Sequence, residues 1–432
     1  MYPLYSLIFS LGFLLMLPMF LLRREKYASG FKQRLGTYSE FKHDGREVIW
    51  LHCVSVGETN AARPLVDALR AEFPEHRLVI STTTKTGHEL ARKTFADKAD
   101  AVVYFPFDWK FSVRRALSNF KPSIVLLMET EIWPRFIHEA KQRGAKVAIV
   151  NGRLSKKSFD QYSRFHAFIS RVLGDIDLAL MQSGDDADAI KGLGVYPGRV
   201  RETGNIKFDL DVAADEVRIA DHLRRRFSFG DGEHLILAAS THSPEEALVL
   251  RAFGKARESL QTKARLLIAP RHPERFDEVE KLVRDAGLSI ARRSETESIS
   301  DKQADVVLLD SIGELRGVLS LGDIVFIGGS LIAHGGQSVL EPAAFGKAII
   351  TGPHTHNFDS IVKAFLRHKA LIQLDPQNDK ECYIDPLTAH LVELLVNPVE
   401  RESLGRNAKA LMDASRGATI RTVEMIKSLK AS

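Results

Sequence analysis

Acidic side chains that could act as acid or base stand directly after apolar runs of this 432-residue chain. The apolar run 48–54 leads into Gly57 and Glu58, and a stretch with helical periodicity, 60–73, follows. Open α/β sheets bind their ligands at this place, between the carboxyl end of a strand and a helix. The helix N-terminus favours the charged form of a carboxylate, so we expect Glu58 to be ionised. Glu58 is therefore a candidate ligand-site carboxylate, and a helix cap is the competing interpretation.

Two further charged segments follow strand-like runs in the first half of the chain. Met128-Glu-Thr-Glu-Ile-Trp-Pro134 places Glu129 and Glu131 after an apolar run, and Gly204-Asn-Ile-Lys-Phe-Asp209 contributes Lys207. The carboxylates can serve a substrate or cap the next helix, and the lysine can stabilise an anion or be a solvated charge. Glu129 and Glu131 come nearest to a metal-binding pair, but no histidine cluster accompanies them, so we expect no metal.

Glycine-rich segments in the second half favour a nucleotide site. His334-Gly-Gly-Gln-Ser-Val-Leu-Glu-Pro342 places two glycines before a helix predicted to open at about Ser338, where backbone N–H groups can approach a phosphate. Glu341, in the first turn, can accept two ribose hydroxyls. A tight turn and a capped helix is the other interpretation. Arg271 follows the strand 265–269 and either binds a phosphate or is a surface residue. Gly313 opens another predicted helix.

Composition and missing motifs exclude several classes of protein. The formal net charge of +5 suits an anionic partner, but no Lys/Arg tract with interleaved aromatics indicates nucleic acid. The two cysteines, Cys53 and Cys382, are too few for a disulfide framework or a zinc site. No glycine-rich dinucleotide motif follows the first strand and no P-loop occurs, so oxidoreductase and P-loop functions are disfavoured.

The elements that position these residues alternate along the chain. Apolar strand-like runs and helical periodicities follow one another from 48 to 182 and again from 234 to 374, which predicts α/β domains with parallel sheets. We predict two Rossmann-like domains facing a cleft. The predicted boundaries are 26–210 for the N-terminal acceptor domain, 211–232 for a polar linker, 233–400 for the C-terminal nucleotide-binding domain and 401–432 for C-terminal helices.

The N-terminus is strongly apolar. Residues 4–22 carry no charge over 19 residues, and Arg23, Arg24 and Lys26 follow. This pattern predicts a membrane anchor within residues 1–25, with the remainder on the cytoplasmic side. Pro18 would kink a spanning helix, so an interfacial anchor and a helix docked on the protein are the alternatives.

Together these segments resemble the 3-deoxy-D-manno-octulosonic acid (Kdo) transferase family. The resemblance covers the N-terminal anchor and nearly all of residues 48–360, with the segments in the family's order. The segments are Ser55-Val-Gly-Glu-Thr59, Met128-Glu-Thr-Glu-Ile-Trp-Pro134, Asn151-Gly-Arg-Leu-Ser155, Gly204-Asn-Ile-Lys-Phe-Asp209, Ser240-Thr-His242, Pro270-Arg-His-Pro-Glu-Arg275, Gly328-Gly-Ser330, Leu340-Glu-Pro-Ala-Ala344, Gly352-Pro-His354 and Asn357-Phe358.

The resemblance implies a GT-B glycosyltransferase fold and an inverting, metal-independent transfer of Kdo from CMP-Kdo to a lipid A precursor, lipid IVA, in lipopolysaccharide biosynthesis. It implies work at the cytoplasmic face of the bacterial inner membrane, with phospholipid as a further partner and no cofactor. In that family the glutamate matching Glu58 is the base, and residues matching Glu129 and Lys207 support the transition state. CMP contacts fall on positions matching Pro270, Arg271, Ile312, Gly313, Glu314, Ser338, Val339, Leu340 and Glu341.

One departure affects the nucleotide segment. The family often carries His-Asn after the glycine pair, where this chain has Gln337 and Ser338, and the serine hydroxyl reaches less far than an asparagine amide. Two other functions stay open from the residues alone. One is a membrane-associated transferase that uses a UDP-sugar, and the other is a tethered nucleotide-binding scaffold without catalysis.

Overall fold

The computed structural model describes residues 1–22, 29–210, 214–230, 232–260 and 263–431. The chain divides into two compact units. Unit 1 comprises Met1–Asp209 with Ser415–Ser432, and unit 2 comprises Leu210–Ala414. Arg23, Arg24 and Lys26, the predicted basic flank of the anchor, lie outside the described residues.

In the described part of unit 1, seven parallel strands form one sheet in the order β3-β2-β1-β4-β5-β6-β7. The strands are β1 Val48–His52, β2 Arg77–Thr82, β3 Ala101–Tyr104, β4 Ile124–Met128, β5 Lys146–Gly152, β6 Leu178–Met181 and β7 Val200–Glu202. The central strands are buried on both faces, as their continuous apolar sequences predict. Because all strands are parallel, the turns after β1, β4 and β5 lie at one edge.

Helices cover the two faces of this sheet. They are α1 Tyr2–Leu22, α2 Phe31–Arg34, α3 Val56–Ala61, α4 Arg63–Glu72, α5 Lys85–Thr94, α6 Lys110–Phe120, α7 Pro134–Gln142, α8 Lys156–Ser163, α9 His166–Leu173 and α10 Gly184–Gly192. Amphipathic spacing explains the packing: on α4, Leu65, Val66 and Leu69 are buried while the charged positions between them face outward.

The N-terminal helix α1 docks on unit 1 through hydrogen bonds. The Tyr5 hydroxyl donates to Oδ2 of Asp108 at 2.8 Å, and Nε1 of Trp109 donates to Oγ of Ser10 at 2.9 Å. Within the described ranges, no helix combines the length and the apolar character needed to cross a membrane. The structure therefore does not support the spanning anchor predicted for residues 1–25.

In the described part of unit 2, seven parallel strands form a second sheet in the order β10-β11-β9-β8-β12-β13-β14. They are β8 His234–Thr241, β9 Ala264–Pro270, β10 Ile290–Arg292, β11 Val306–Leu308, β12 Ile324–Ile327, β13 Ala348–Thr351 and β14 Ile372–Gln373. The switch in strand order falls between β8 and β12, and open α/β sheets bind ligands outside the strand ends at such a point.

Unit 2 contains α11 Ala214–Phe227, α12 Glu245–Ser259, α13 Phe276–Asp285, α14 Leu315–Leu319, α15 Leu340–Ala344, α16 Asp359–Arg367, α17 Ile384–Val396 and α18 Pro398–Ser415. Helix α19, Ala418–Ala431, belongs to unit 1. Helix α11 lies inside the predicted linker 211–232 and buries Leu223 and Phe227, which stand four residues apart on one face.

The C-terminal segment predicted to contain helices, 401–432, holds the end of α18 and then α19, with a break between them. Gly417 has φ +88°, a left-handed conformation that ends a helix, and α19 begins at the next residue. Oδ1 of Asp209 accepts from Gly417 N at 2.7 Å, and Oδ2 accepts from Thr419 N at 2.6 Å. Asp209 therefore caps α19 and fixes the break at the point where the chain re-enters unit 1.

Candidate active site

Glu58 lies in the first turn of α3, where the sequence predicted it. Its Oε2 accepts from Val54 N at 2.7 Å, and the Ser55 hydroxyl donates to its Oε1 at 3.3 Å. Ser55 is the N-cap of α3, and its Oγ accepts from Glu58 N. Glu58 therefore takes part in capping α3, and these contacts hold its carboxylate in one place at the carboxyl edge of β1.

The protonation of Glu58 differs from the expectation of a fully ionised carboxylate. The side chain is buried, and burial raises its pKa to about 8, with the charges of Glu129 and Glu131 adding to the rise. Hydrogen bonds from Val54 N and the Ser55 hydroxyl favour the charged form but do not outweigh burial. A carboxyl group with a pKa near the working pH is suited to accept a proton from a hydroxyl and release it later.

Glu129 and Lys207 form an ion pair beside this glutamate. Nζ of Lys207 donates to Oε1 of Glu129 at 2.7 Å, and each side chain keeps 20% of its surface exposed. Glu129 has φ +53°, a conformation that non-glycine residues adopt at a cost, at the end of β4. The structure thus brings together the three residues predicted to be catalytic, on the turns that follow three strands of one sheet.

The turn that carries Lys207 is held by Asn151, the first residue of the family segment 151–155. Asn151 is fully buried with φ +53°, and its Oδ1 accepts from Ile206 N at 3.0 Å. Oδ1 of Asn205, the residue before Ile206, accepts from Lys207 N at 3.0 Å. Asn151 therefore links the end of β5 to the 3₁₀ turn Ile206–Phe208 and fixes the backbone position of Lys207.

Glu131 joins the acidic cluster, although only its neighbour Glu129 was predicted to be catalytic. Burial and the charge of Glu129 raise the pKa of Glu131 to about 7. Trp133, which follows it, packs against Phe105 with ring centroids 5.5 Å apart. The order of acidic residues before Trp133-Pro134 was the sequence signal for this group.

Sequence reasoning missed the contribution of α5. A Cβ placed on Gly87 would lie 2.7 Å from Oγ1 of Thr84 and 3.3 Å from the carbonyl carbon of Ser55. A side chain at Gly87 would therefore push α5 away from the turn that holds Glu58. The visible signal was Thr84-Lys-Thr-Gly87 directly after a strand, since Thr84 is the N-cap of α5.

In unit 2, the predicted nucleotide contacts follow adjacent strands. Pro270 ends β9, and Arg271 donates its backbone N–H to the carbonyl of Thr241 at 2.9 Å while its side chain is exposed. After β11, Gly313 has φ +92° and Ile312 is 82% exposed. Exposed apolar surface on a strand-end loop can pack against a nucleotide base.

Glu314, also predicted to contact the nucleotide, is held by the protein. Its carboxylate accepts from Nε and Nη2 of Arg293 at 3.1 and 3.0 Å, and from the Ser311 hydroxyl. Glu314 is also the N-cap residue of α14. A nucleotide contact through its side chain would compete with Arg293, so its backbone is the freer group.

The glycine-rich segment contains a shorter helix than predicted. Helix α15 begins at Leu340 rather than near Ser338, because Ser338 accepts from Leu340 N at 3.3 Å through its hydroxyl and stays outside the helix. Gly335 and Gly336 have φ +104° and +73°. Oε2 of Glu341 is buried and has no hydrogen-bond partner among the described residues, which leaves an acceptor for a ligand hydroxyl.

A second residue missed by sequence reasoning ties the unit 2 loops together. Oε2 of Glu245 accepts from the backbone N–H groups of His242 and Gly329 at 3.0 and 2.6 Å. Its Oε1 accepts from those of Ser330 and Leu331 at 2.9 and 2.8 Å. The fully buried carboxylate therefore fixes the loop after β8 to the loop after β12. Glu245 sits near the start of an apolar helix, where sequence alone suggests a routine cap.

Across the part of the chain that the structure describes, no group of three or more His, Cys, Asp and Glu side chains is arranged to hold a metal ion. Cys53 is buried next to the acidic cluster, and burial together with the charges of Glu58 and Glu129 raises the pKa of its thiol. A neutral buried thiol is a poor nucleophile, so Cys53 is not a candidate nucleophile.

Comparison with known proteins identifies the family. Residues 29–210 match the family described as 3-Deoxy-D-manno-octulosonic-acid transferase (kdotransferase). The 3-deoxy-D-manno-octulosonic acid transferase of Haemophilus influenzae is 33% identical over 93% of this chain and 92% of its own length. The enzyme of that name from Bordetella pertussis is 31% identical over 88% of this chain and 86% of its own length.

A solved structure supports the fold. UDP-GlcNAc 2-epimerase from Neisseria meningitidis, bound to UDP-GlcNAc, matches 88% of this chain and all of its own with a TM-score of 0.60 at 15% identity. At that identity the likeness concerns the fold alone. The sequence matches reach further, since they span nearly the full length of both chains and include the turns that carry Glu58, Glu129 and Lys207. The chain is therefore a glycosyltransferase that belongs to the 3-deoxy-D-manno-octulosonic acid transferase family.

Proposed function

We propose that this enzyme transfers Kdo from CMP-Kdo to a lipid A precursor, lipid IVA, with inversion at the anomeric carbon and with Glu58 as the general base. The observation that carries this proposal is the buried Glu58, whose pKa lies near neutrality beside the Lys207–Glu129 ion pair. The relatives named Kdo transferase support the sugar and the reaction class.

The chemical step is a proton transfer coupled to a displacement. In unit 1, the Glu58 carboxylate takes the proton from an acceptor hydroxyl, and that oxygen forms the new bond to the anomeric carbon of Kdo. The bond between this carbon and the phosphate oxygen breaks, and CMP leaves with the bonding electrons. A positioned base of this kind contributes roughly 10²- to 10⁴-fold to the rate.

Charged groups stabilise what develops during the step. Lys207 supplies a fixed positive charge in unit 1, and its pairing with Glu129 keeps the ammonium in place without a search through rotamers. In unit 2, Arg271 and the backbone N–H of Gly335 hold the phosphate, and the buried oxygen of Glu341 accepts from a ribose hydroxyl.

The direct test is to incubate the full-length enzyme with CMP-Kdo and lipid IVA and to follow the acceptor by mass spectrometry. We expect the mass of the acceptor to rise by whole Kdo residues. The rise should be the same with and without EDTA, because CMP has a single phosphate and protein donors such as Arg271 can stabilise it without a metal ion. CMP should compete with the donor far better than UDP. Preference for UDP would favour a UDP-sugar transferase, and binding without any transfer would favour a scaffold.

We further propose that α1 holds the enzyme at the cytoplasmic surface of the bacterial inner membrane. One face of α1 docks on unit 1, while the opposite face exposes apolar side chains at helical spacing. The exposed apolar side chains include Leu4 at 61%, Leu7 at 57%, Ile8 at 59%, Leu11 at 53%, Leu14 at 59% and Leu15 at 84%. A continuous apolar patch of this kind is suited to the interfacial layer of a bilayer, which is where a lipid acceptor resides.

Flotation with vesicles of inner-membrane phospholipids tests the membrane proposal. The double variant Leu11→Asp, Leu15→Asp should lose the vesicle-bound fraction because it places two charges on the apolar face. Phe165→Asp alters an equally exposed apolar residue elsewhere in unit 1 and should float like the wild type. Equal flotation of the double variant and the wild type would refute the role of α1.

A further inference from the structure

Three histidines from three different loops meet at the carboxyl edge of the unit 2 sheet. His242 follows β8, His272 follows β9 and His334 follows β12. The ring centroids of His242 and His334 are 4.1 Å apart, and those of His242 and His272 are 5.1 Å apart. We call these three residues the histidine cluster. The family segments contain two of them, but no role so far described uses any of their rings.

One histidine of the cluster is buried and the other two are exposed. His242 is only 6% exposed, whereas His272 and His334 are exposed on either side of it. Gly329 packs against two of the rings: its φ is +68°, and a Cβ there would lie 3.4 Å from Cδ2 of both His242 and His334. Nε2 of Gln337 lies 3.4 Å from Nε2 of His242, so the cluster adjoins the glycine-rich nucleotide segment.

Positively charged side chains and hydrogen-bond donors outnumber the carboxylates available to them around the cluster. Burial lowers the pKa of His242 to about 4, and its neighbours His334, His272, Arg271 and Arg275 add to this effect. Arg275 is paired with Glu246 at 2.6 Å and with Glu278. The carboxylate nearest to the rings from outside is Glu274, 3.6 Å from Nδ1 of His272 and largely exposed.

Glu245 does not balance these charges, because its carboxylate already accepts four backbone N–H groups beneath the loops. Nor are the rings arranged to share a metal ion, as judged over the described residues. Imidazole N–H groups and a guanidinium on converging loops, with few carboxylates among them, form a site for an anion. The site lies beside Arg271, to which the phosphate is assigned.

We propose that the histidine cluster binds the carboxylate of the sugar being transferred and so selects an acidic donor sugar over neutral ones. This inference rests on the proposed function. An ulosonic acid carries its carboxylate on the anomeric carbon, the same carbon that bears the phosphate of CMP. The donor therefore presents two anions within a few bonds of each other, and a site that binds CMP needs a second set of donors for the carboxylate.

Equilibrium binding of CMP-Kdo and of CMP to the full-length enzyme, without acceptor, tests the inference. His334→Ala removes an exposed ring, and His242→Gln keeps a polar group of similar length at the buried position. Each variant should bind CMP-Kdo about 10- to 100-fold more weakly, the range expected for a lost hydrogen bond to a charged group, while CMP binding changes less than about twofold. His368→Ala, an exposed histidine after α16, is the matched control.

Two results would overturn the inference. If binding of CMP and of CMP-Kdo weakens equally, the rings contact the phosphate that both ligands share or only stabilise the fold. If CMP-Kdo binding is unchanged, the cluster contacts no ligand. The outcome is separable from that of the proposed function. If the wild type neither binds nor transfers CMP-Kdo, the proposed function fails; if the wild type does both and only the variants behave otherwise than expected, the histidine inference alone fails.

Discussion

The raised pKa of Glu58 predicts a steep rise of the transfer rate with pH across the neutral range. A general base acts in its ionised form, and with a pKa of about 8 only about 1% of the enzyme carries that form at pH 6, about 10% at pH 7 and about half at pH 8. The rate constant kcat/KM for the acceptor should therefore increase about tenfold between pH 6 and pH 7. It should then increase less than about twofold between pH 8 and pH 9.

The assay measures initial rates of Kdo transfer by mass spectrometry from pH 5.5 to 9.5 at constant ionic strength and saturating CMP-Kdo. The acidic limb belongs to the cluster of Glu58, Glu129 and Glu131 as a whole, because their charges interact. CMP binding over the same range is the control, since the proposed nucleotide contacts lie in unit 2 and not beside Glu58. A rate that stays constant from pH 6 to pH 8 would refute the reasoning, because it is the profile of an unperturbed carboxylate.

Three further predictions concern the surroundings of Glu58. Glu131→Gln removes one charge that raises the pKa of Glu58, so the acidic limb of the pH–rate profile should move to lower pH, whereas the exposed Glu75→Gln should leave the limb in place. Lys207→Met should lower kcat about 10²- to 10³-fold, which is the usual effect of losing one electrostatic donor, while the affinity for CMP measured by titration should not change. A parallel loss of CMP binding would contradict this prediction. Gly87→Ala should lower Tm by about 2–10 °C and reduce kcat, because the new Cβ has no room. The control Gly254→Ala, which has open space around it, should lower neither, and equal melting curves for the two variants would refute the packing argument.

The sequence predicted most of both sheets because their strands are continuous apolar runs between turn residues. It missed β10, which is only three residues long and ends in the charged residue Arg292. It predicted a linker where α11 lies, since the arginine run and the aspartates obscured Leu223 and Phe227 on one helix face. Short or highly charged elements are therefore defined by their packing partners more than by their own patterns.

The positions of the candidate catalytic residues were predictable, but the protonation of Glu58 was not. Its place after β1 is a local property of the chain. Its pKa depends on burial and on carboxylates contributed by the turn after β4, 71 and 73 residues further along the sequence. Local reasoning considered only the helix N-terminus, which favours ionisation, and desolvation outweighs that effect here. The four backbone contacts of Glu245 are likewise visible only once β8 and β12 are neighbours.

The central claim is that Glu58 acts as the base in Kdo transfer. Glu58→Gln keeps the size of the side chain and an oxygen that can accept from Val54 N, but it removes the ability to take a proton. Incubated with CMP-Kdo and lipid IVA, this variant should bind CMP with wild-type affinity and transfer Kdo at least about 10²-fold more slowly. Transfer at the wild-type rate would contradict the account and leave Glu58 as the cap of α3.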